Sequence, residues 1–260
     1  TPDVMSPQQA DAAMDRGDIL RTHVLRPTWH LVAKEDIRWM LELTAPRIKA
    51  AMLSNGKRRG LNEAVFRKSN KVIVKALSSG KHLVRAELQA ALEKAQLPTD
   101  DNRLSHMLMH AELDAICCSG TAEGKQNTHA LLEERAPGVG HISRDEALER
   151  LATRYFTGHG PATLKDFIWW SGLTMTDAKR AMDAVRSSIM EERIGESVYL
   201  LPRSLHAGRP ARTSLHLLPA FDELIIGYAD RSAVLSSADQ RRALSSNGIF
   251  YPTLLRDGRA

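Results

Sequence analysis

The sequence predicts a mainly α-helical protein with small β elements, which is an α+β fold. Helix-capping pairs recur along the chain, short extended pairs follow groups of three helices, and this order occurs twice, about 75 residues apart. Three helices followed by a β-hairpin are typical of a winged helix, so we expect tandem winged-helix domains. The 260 residues, 43% of them hydrophobic, suffice for one large domain or several small ones with a sizeable core.

The later repeat carries the clearest helix signals. In a capping box, a hydroxyl accepts a hydrogen bond from a free backbone N–H, and an acid three residues later reaches back to the cap. Three pairs fit this pattern: Ser143 with Glu146, Thr163 with Asp166, and Thr174 with Asp177. They predict helices over residues 143–156, 163–170 and 174–190. A short extended pair then runs from Ile194 through Gly195 to Leu201, and Pro202 ends it.

The earlier repeat follows the same plan. Its predicted helices cover residues 62–77, 84–95 and 102–115. A strand over 116–119, a polar turn and a return through 128–132 complete it. The two repeats share their element order and hardly any residue identity. They predict an N-terminal segment (1–60), two winged helices (61–138 and 139–205) and a C-terminal part (206–260).

The stretch RTHVLRPTWHLV, residues 21–32, predicts one β-strand ahead of the first repeat. Because strand side chains alternate between faces, Arg26, Thr28 and His30 share one face. The opposite face holds Leu25, Trp29 and Leu31. Pro27 lacks an N–H group, so the strand belongs at a sheet edge. Periodicity alone favours ordinary exposure of the polar face, with the arginine in a salt bridge, over contact with a ligand.

The two ends of the chain are less regular. A helix is expected to start near residues 34–36, with Trp39, Met40, Leu43 and Ile48 along one side. After residue 212 we expect short β or irregular segments. Asp257-Gly258 is a hairpin-turn signal whose second strand would follow Ala260, so we expect a truncated C-terminus. The first residue is Thr rather than Met, and the N-terminal segment is expected to lack its start.

The charge of the chain is compatible with a polyanionic partner, because the formal net charge is +5. Between residues 57 and 85 the only acid is Glu63. The cations of this run are Lys57, Arg58, Arg59, Arg67, Lys68, Lys71, Lys75, Lys81 and Arg85. Two interpretations stay open: a solvated helix face, or a patch that faces phosphates.

Several classes of site are disfavoured. Cys117 and Cys118 are adjacent, and neighbouring cysteines rarely form a disulfide with each other. They suit a reducing compartment such as the cytoplasm, and no C-x-x-C motif indicates zinc or redox chemistry. His106 and His110 are one helical turn apart but lack a third ligand, so we predict no metal. No run of roughly 18 apolar residues exists to span a membrane.

Two further motifs have plain interpretations. The stretch GTAEGKQ is one residue short of a phosphate loop, and Gln126 stands where Ser or Thr would bind magnesium. We interpret it as a flexible wing tip whose Lys125 and Gln126 can enter the minor groove or touch the DNA backbone. Of the adjacent Trp169 and Trp170, one ring is predicted to pack in the core, which we favour over base stacking.

Segments covering nearly the whole chain resemble the AlkZ-like family of DNA glycosylases, which includes the YcaQ-type proteins. The matching stretches are RGDILRTHVLRPTWHLVAKEDIRWML, GLNEAVFRKSNKVI, ICCSGTAEGKQNTHALL, YFTGHGPATLKDFIWWSGL, PAFDELIIGYADRS and GIFYPTLLRDGR, in the order of the family. The resemblance implies a C-shaped molecule of tandem winged helices with a β-rich C-terminal part. Its basic concave face would hold double-stranded DNA.

The resemblance also implies an activity, the hydrolysis of the N-glycosidic bond of alkylated purines, including crosslink unhooking in some members. No metal or organic cofactor is implied. An N7-alkylated purine is already cationic, so the enzyme mainly orients a water and stabilises the developing sugar cation. The family uses a Gln-x-Gln or Gln-x-Asp motif upstream of the segment that Arg16 begins here. We expect that motif before Thr1, because Gln9-Ala10-Asp11 is too close to Arg16. This chain alone is therefore expected to be inactive.

By the same resemblance, Thr28 and His30 are the supporting candidates at the catalytic cleft. The predicted DNA contacts are Arg26, Lys57, Arg58, Arg59, Lys68, Lys71, Lys125 and Gln126. The expected partner is double-stranded DNA, bound by a monomer at the bacterial nucleoid. The alternative is a winged-helix regulator that binds DNA without catalysis, and a third class is a winged-helix protein that binds another protein.

Overall fold

A computed structural model describes residues 5–138, 140–205 and 213–260 of the chain. The chain forms two compact units, Thr1–Ser143 and Arg144–Ala260. Each unit combines α-helices with small antiparallel sheets, which confirms the predicted mixture of helix and strand. The predicted boundaries at residues 139 and 206 lie outside the described residues, and the finer division into four parts stays a prediction.

The first unit opens with a helix, a hairpin and a long helix. Their bounds are α1 Pro7–Arg16, β1 Ile19–Val24, β2 Thr28–Ala33 and α2 Ile37–Arg58. Ser6 caps α1 by accepting a hydrogen bond from the Gln9 backbone N–H, and the Gln9 side chain completes the capping box. Buried Asp36 precedes α2 and accepts a hydrogen bond of 3.0 Å from the Trp39 indole. The four apolar side chains that were predicted to lie along one side of α2 are buried.

Residues 21–32 form a hairpin, so the prediction of a single strand is wrong. Strands β1 and β2 pair antiparallel, with Thr22 opposite His30 and His23 opposite Trp29. The chain reverses through Leu25, whose φ is +64°, and through Arg26 and Pro27. Apolar alternation is the same on both arms of a hairpin, and this turn lacks the Gly or Asn that usually marks a reversal.

The rest of the first unit has the element order of the earlier repeat. Its bounds are α3 Glu63–Leu77, β3 Leu83–Val84, α4 Arg85–Lys94, α5 Arg103–Leu113, β4 Cys117–Ser119, β5 Thr128–Leu131 and α6 Leu132–Arg135. The three strands form one antiparallel sheet in the order β3-β5-β4. The three predicted helices are confirmed to within two residues at each end. Ile73, Leu77, Leu88, Leu92 and Met107 form the centre of its core.

The second unit contains the later repeat and the C-terminal part. Its bounds are α7 Arg144–His159, α8 Leu164–Ser171, α9 Met175–Val185, β6 Ile189–Ile194, β7 Ser197–Pro202, β8 Leu215–Leu218, α10 Glu223–Ile226, α11 Ser237–Ala243 and β9 Thr253–Arg256. The Thr163–Asp166 capping box is present, with both of its reciprocal hydrogen bonds. Helix α9 ends at Val185 rather than at residue 190, because Ile189 already pairs with Pro202 in the sheet.

The C-terminal part differs from its prediction. Among residues 213–260 there are two paired strands, β8 and β9, and two short helices that were not predicted. Asp257 and Gly258 have φ values of +53° and +79°, and the backbones of Arg256 and Arg259 are hydrogen-bonded across them, so the turn is confirmed. Within the described part of the chain, no helix is long and apolar enough to cross a membrane.

Candidate nucleic-acid interface

The hairpin of β1 and β2 has one face turned into the first unit. The buried residues of that face are Leu20, Thr22, Val24 and Val32. Toward the turn the same face continues into Thr28, which is exposed, and His30, which is half-buried. Thr28 Oγ1 and His30 Nε2 are hydrogen-bonded at 3.0 Å. The structure thus brings together the two side chains that were predicted to support catalysis, while Arg26 lies beside them in the turn.

The opposite, outer face of the hairpin exposes large apolar side chains. Trp29 is 53% exposed and Leu31 is 61% exposed. The Arg21 guanidinium lies 4.7 Å from the centre of the Trp29 ring, and the His23 ring lies 4.9 Å from it at 44°. Leu25 was expected on this face, but it is buried in the turn. Trp29 and Leu31 share a face as predicted, and the β2 part of that face is directed to solvent, whereas His23 on β1 is buried.

A buried carboxylate lies beneath this outer face. Glu112, from α5, is only 3% exposed, and its Oε2 accepts hydrogen bonds from His23 Nδ1 at 2.6 Å and from the His23 backbone N–H at 2.9 Å. His129 Nε2, from β5, lies 3.7 Å from the other carboxylate oxygen. Since a buried charge is costly unless it is paired, Glu112 ties the hairpin to the helix and the sheet behind it.

Burial also sets the protonation of the neighbouring groups. Desolvation lowers the pKa of His129, and the attraction of Glu112 offsets only part of that shift. Arg21, Arg85 and His23 lower it further by repulsion. Desolvation lowers the pKa of Arg21 as well, again opposed by Glu112. His129 is therefore held in its neutral form more strongly than a histidine in water.

Two more hydrogen bonds fix the hairpin on its support. The Arg21 backbone N–H donates to Ser119 Oγ at 2.9 Å, which joins β1 to β4. The Leu25 backbone N–H donates to Thr44 Oγ1 at 3.2 Å, and that hydroxyl donates to the Met40 carbonyl at 2.8 Å. The hairpin is thus held by α2, α5 and β4, so its outer side chains project from a constrained base.

The predicted basic contacts at α2 and α3 are exposed, except for one that is held by hydrogen bonds to backbone carbonyls. Lys57 and Arg58 are exposed in the last turn of α2, where cations also interact favourably with the helix dipole. Lys68 and Lys71 are exposed on α3, whose other side is buried. Arg59 differs, because its Nε donates to the Asp101 carbonyl at 2.9 Å and its Nη1 to the Asn55 carbonyl at 3.2 Å. That guanidinium holds the end of α2 to the loop before α5.

The predicted wing tip joins β4 to β5. Glu123 and Gln126 exchange backbone hydrogen bonds of 3.0 and 2.9 Å, and Lys125 and Gln126 are exposed. At the base of the wing Gly120 is buried, and a Cβ there would lie 2.5 Å from Thr128 Oγ1. The wing therefore has a tight base and an accessible tip, which carries one acid, Glu123, and one cation, Lys125.

His106 and His110 line an apolar cavity of about 440 Å³ between α2, α3 and α5. The His110 ring stacks on Phe66 at 3.9 Å, and its Nδ1 lies 2.9 Å from Asp114. Burial alone would raise the pKa of Asp114, but hydrogen bonds and attraction from His110 and Lys49 outweigh it and hold that pKa well below its usual value. In the described ranges, no group of three His, Cys, Asp or Glu side chains could hold a metal ion.

The adjacent tryptophans of the second unit both contact neighbouring residues of that unit. Trp170 is half-buried beside Tyr155, with ring centres 5.0 Å apart, so it packs at the margin of the core rather than inside it as predicted. Trp169 is 42% exposed and donates from Nε1 to the Ile226 carbonyl at 3.0 Å. Both rings thus contact the C-terminal part, since Trp170 Nε1 donates to Glu223.

The alternation of residues 21–32 did not indicate that Arg21 and His23 belong to the site, together with Glu112 and His129 from elsewhere in the chain. A signal for Glu112 was available, because it lies four residues after Leu108 and therefore on the buried side of α5. A carboxylate at such a position needs a partner. No sequence pattern indicated that the partner would come from a hairpin 89 residues away.

The fold occurs in a solved DNA glycosylase. The structure of Streptomyces sahachiroi DNA glycosylase AlkZ superposes with a TM-score of 0.80, covering 98% of this chain and 72% of that one at 19% sequence identity. An interstrand DNA cross-link repair glycosylase of the same organism is 25% identical over 154 residues, which are 55% of this chain and 41% of that protein. The alignment thus spans about two fifths of the curated relative.

The family model described as DNA glycosylase AlkZ-like matches residues 3–260. The chain therefore belongs to the AlkZ-like DNA glycosylase family, as its sequence resemblance indicated.

Proposed function

We propose that this protein binds double-stranded DNA and excises alkylated purines by hydrolysis of their N-glycosidic bond. The observation that carries the proposal is the Thr28–His30 pair, hydrogen-bonded at 3.0 Å at the accessible end of a firmly held hairpin. Neutral hydrogen-bonding groups are sufficient here, because a cationic purine leaves without a strong general acid. Arg26, in the adjacent turn, would contact a phosphate.

The proposed arrangement on DNA has two winged helices. The first consists of α3, α4, α5 and the β4–β5 wing, and the second of α7, α8, α9 and the β6–β7 wing. In this proposal they are successive DNA-binding parts of a monomer. Lys57, Arg58, Lys68, Lys71 and the wing-tip pair Lys125 and Gln126 would contact the backbone. Arg59 is left out, because its guanidinium is already engaged.

The test is an excision assay with the full-length gene product on a duplex that contains one N7-methylguanine. His30→Ala and Thr28→Val are expected to lower the single-turnover rate by about 100-fold, the lower end of the range that a positioned acid–base group contributes. His216→Ala, at an exposed histidine of the second unit, is the matched control. Excision in the presence of EDTA should be unchanged, because we propose neither a metal nor an organic cofactor.

The same assay separates the alternatives. A duplex with an N7-linked interstrand crosslink tests whether the substrate class of the curated relative extends to this protein. Tight, salt-dependent DNA binding without excision of any adduct would favour a regulator with its winged helices on DNA. Absence of DNA binding at low salt would exclude both and leave a protein-binding role. For the enzyme we propose a cytoplasmic location, on the nucleoid when bound.

A further inference from the structure

We propose that Trp29, with Leu31 beside it, is a stacking surface that contacts unpaired bases where the bound duplex is distorted. The inference rests on the proposed DNA binding and deepens it, because it assigns the outer face of the hairpin to the site of damage. Thr28 and His30, on the opposite face, would act on the lesion itself.

The side chains of Trp29 and Leu31 are both exposed. An aromatic ring of this size has a large apolar surface, and a tryptophan that is half exposed next to an exposed leucine leaves that surface in water. Trp29 follows Thr28 directly in β2, so the apolar patch begins at the residue next to the catalytic candidate.

The Trp29 ring is held in position by its neighbours. The Arg21 guanidinium and the His23 ring both contact it, at 4.7 and 4.9 Å from the ring centre. His23 is fixed from below by two hydrogen bonds to buried Glu112. A ring that is already ordered loses little conformational entropy when it binds, which is the property of a recognition surface.

The charge of the hairpin indicates which kind of molecule contacts this face. Residues 19–33 contain Arg21 and Arg26 and no Asp or Glu. An aromatic face combined with guanidinium groups suits a nucleic acid, because every base offers a π-face and every nucleotide a phosphate. A second copy of this chain would bring two arginine-bearing hairpins together, which repel each other.

The Trp29 ring is expected to act where the stacking of the DNA bases is interrupted. In an intact duplex the base faces are covered by their neighbours, so a ring on a hairpin gains a stacking partner only where a base step is opened. An abasic site provides such an opening and is also the product of base excision. The proposed surface should therefore distinguish an abasic duplex from an intact one.

The experiment measures the affinity of the full-length protein for a duplex with one tetrahydrofuran abasic analogue and for the intact duplex of the same sequence. Trp29→Ala is expected to weaken binding to the abasic duplex by about tenfold or more, as loss of one base-stacking contact does. Binding to the intact duplex should change less than about threefold, because phosphate contacts dominate it. Trp29→Phe should keep most of the affinity.

Two further measurements make the test specific. A 2-aminopurine placed opposite the abasic site should be quenched on binding of the wild type and of Trp29→Phe, but much less by Trp29→Ala. Leu217→Ala, which removes an exposed leucine from β8, is the matched control and should change neither affinity nor fluorescence.

Three other outcomes would contradict either the inference or the proposed function. If the wild type binds and excises but Trp29→Ala keeps its preference for the abasic duplex, the inference is overturned while the proposed function stands. If Trp29→Ala lowers the Tm by several degrees or changes the oligomeric state and weakens both duplexes equally, protein rather than DNA covers this face, and the inference is again overturned. If the wild type binds no DNA, the proposed function itself fails.

Discussion

Glu112 Oε2 accepts hydrogen bonds from both the ring and the backbone N–H of His23, at 2.6 and 2.9 Å. This one contact joins the third helix of the first repeat to a hairpin that precedes the repeat. His23 lies on the same face of the hairpin as Trp29, opposite to the face that carries Thr28 and His30. The stability and the geometry of the hairpin therefore depend on a residue far away in the sequence.

Removing the carboxylate is expected to destabilise the protein strongly. Glu112→Ala leaves buried His23 without the acceptor of its ring and backbone N–H groups, and an unsatisfied buried polar group costs about 1–3 kcal/mol. Glu112→Gln keeps one acceptor oxygen and should cost less. Urea denaturation measures the free energy of unfolding of each variant. Glu123→Gln, at the exposed wing tip, should change it by less than about 0.5 kcal/mol. Equal effects of the substitutions at 112 and 123 would contradict the role of Glu112.

Stability should decrease as the pH falls below about 6.5, the ordinary pKa of histidine. Because burial lowers the pKa of His129 in the folded state, the unfolded chain takes up a proton in this range and the folded chain does not. The contribution is complete above the unfolded pKa and is lost progressively below it. His129→Asn should therefore reduce the slope of unfolding free energy against pH between pH 7.5 and 5.

In His129→Asn, the slope of unfolding free energy against pH should become shallower but should not vanish. Desolvation lowers the pKa of His82 and of His106 as well, so these histidines also contribute to the slope. His216→Asn, at an exposed residue, is the control and should leave the slope unchanged. An unaltered slope in His129→Asn would mean that His129 titrates normally in the folded protein.

The base of the wing should not tolerate a side chain at Gly120. A Cβ there would lie 2.5 Å from Thr128 Oγ1 and 3.0 Å from the ring of His82. Gly120→Ala is therefore expected to cost about 1–3 kcal/mol, the usual range for overpacking. Gly158→Ala, in α7 where nothing lies within 4 Å, should be neutral or slightly stabilising. Thermal unfolding of the two variants distinguishes them, and a stable Gly120→Ala would show that the wing can relax.

The cations on α3 should determine the salt dependence of DNA binding. If Lys68 and Lys71 contact phosphates, each substitution by Gln lowers the slope of log K against log salt by about one. Lys94→Gln, at an exposed residue of α4, should leave the slope unchanged. Fluorescence anisotropy between 50 and 200 mM salt, roughly the range over which such slopes are resolved, measures this effect. An unchanged slope in the double variant would support the solvated-face interpretation.

The sequence alone determined the helices of the two repeats, their repeated order of three helices and a hairpin, and the family. Capping pairs such as Thr163–Asp166 and the periodicity of α3 to α5 are local, because a helix satisfies its hydrogen bonds within itself. The placement of Thr28 and His30 on one face was also local, since alternation along a strand needs no partner.

Only the tertiary structure decided where the chain turned at Leu25, which face of the hairpin met solvent, and which carboxylate supported it. Alternation gives two faces but does not say which is inside, because that depends on the surface that the hairpin packs against. The pairing of Glu112 with His23 depends on elements 89 residues apart meeting in space. Trp29 is exposed for the same reason: α2, α5 and β4 contact β1, whereas Trp29 lies on β2, whose residues are mostly exposed or half-buried.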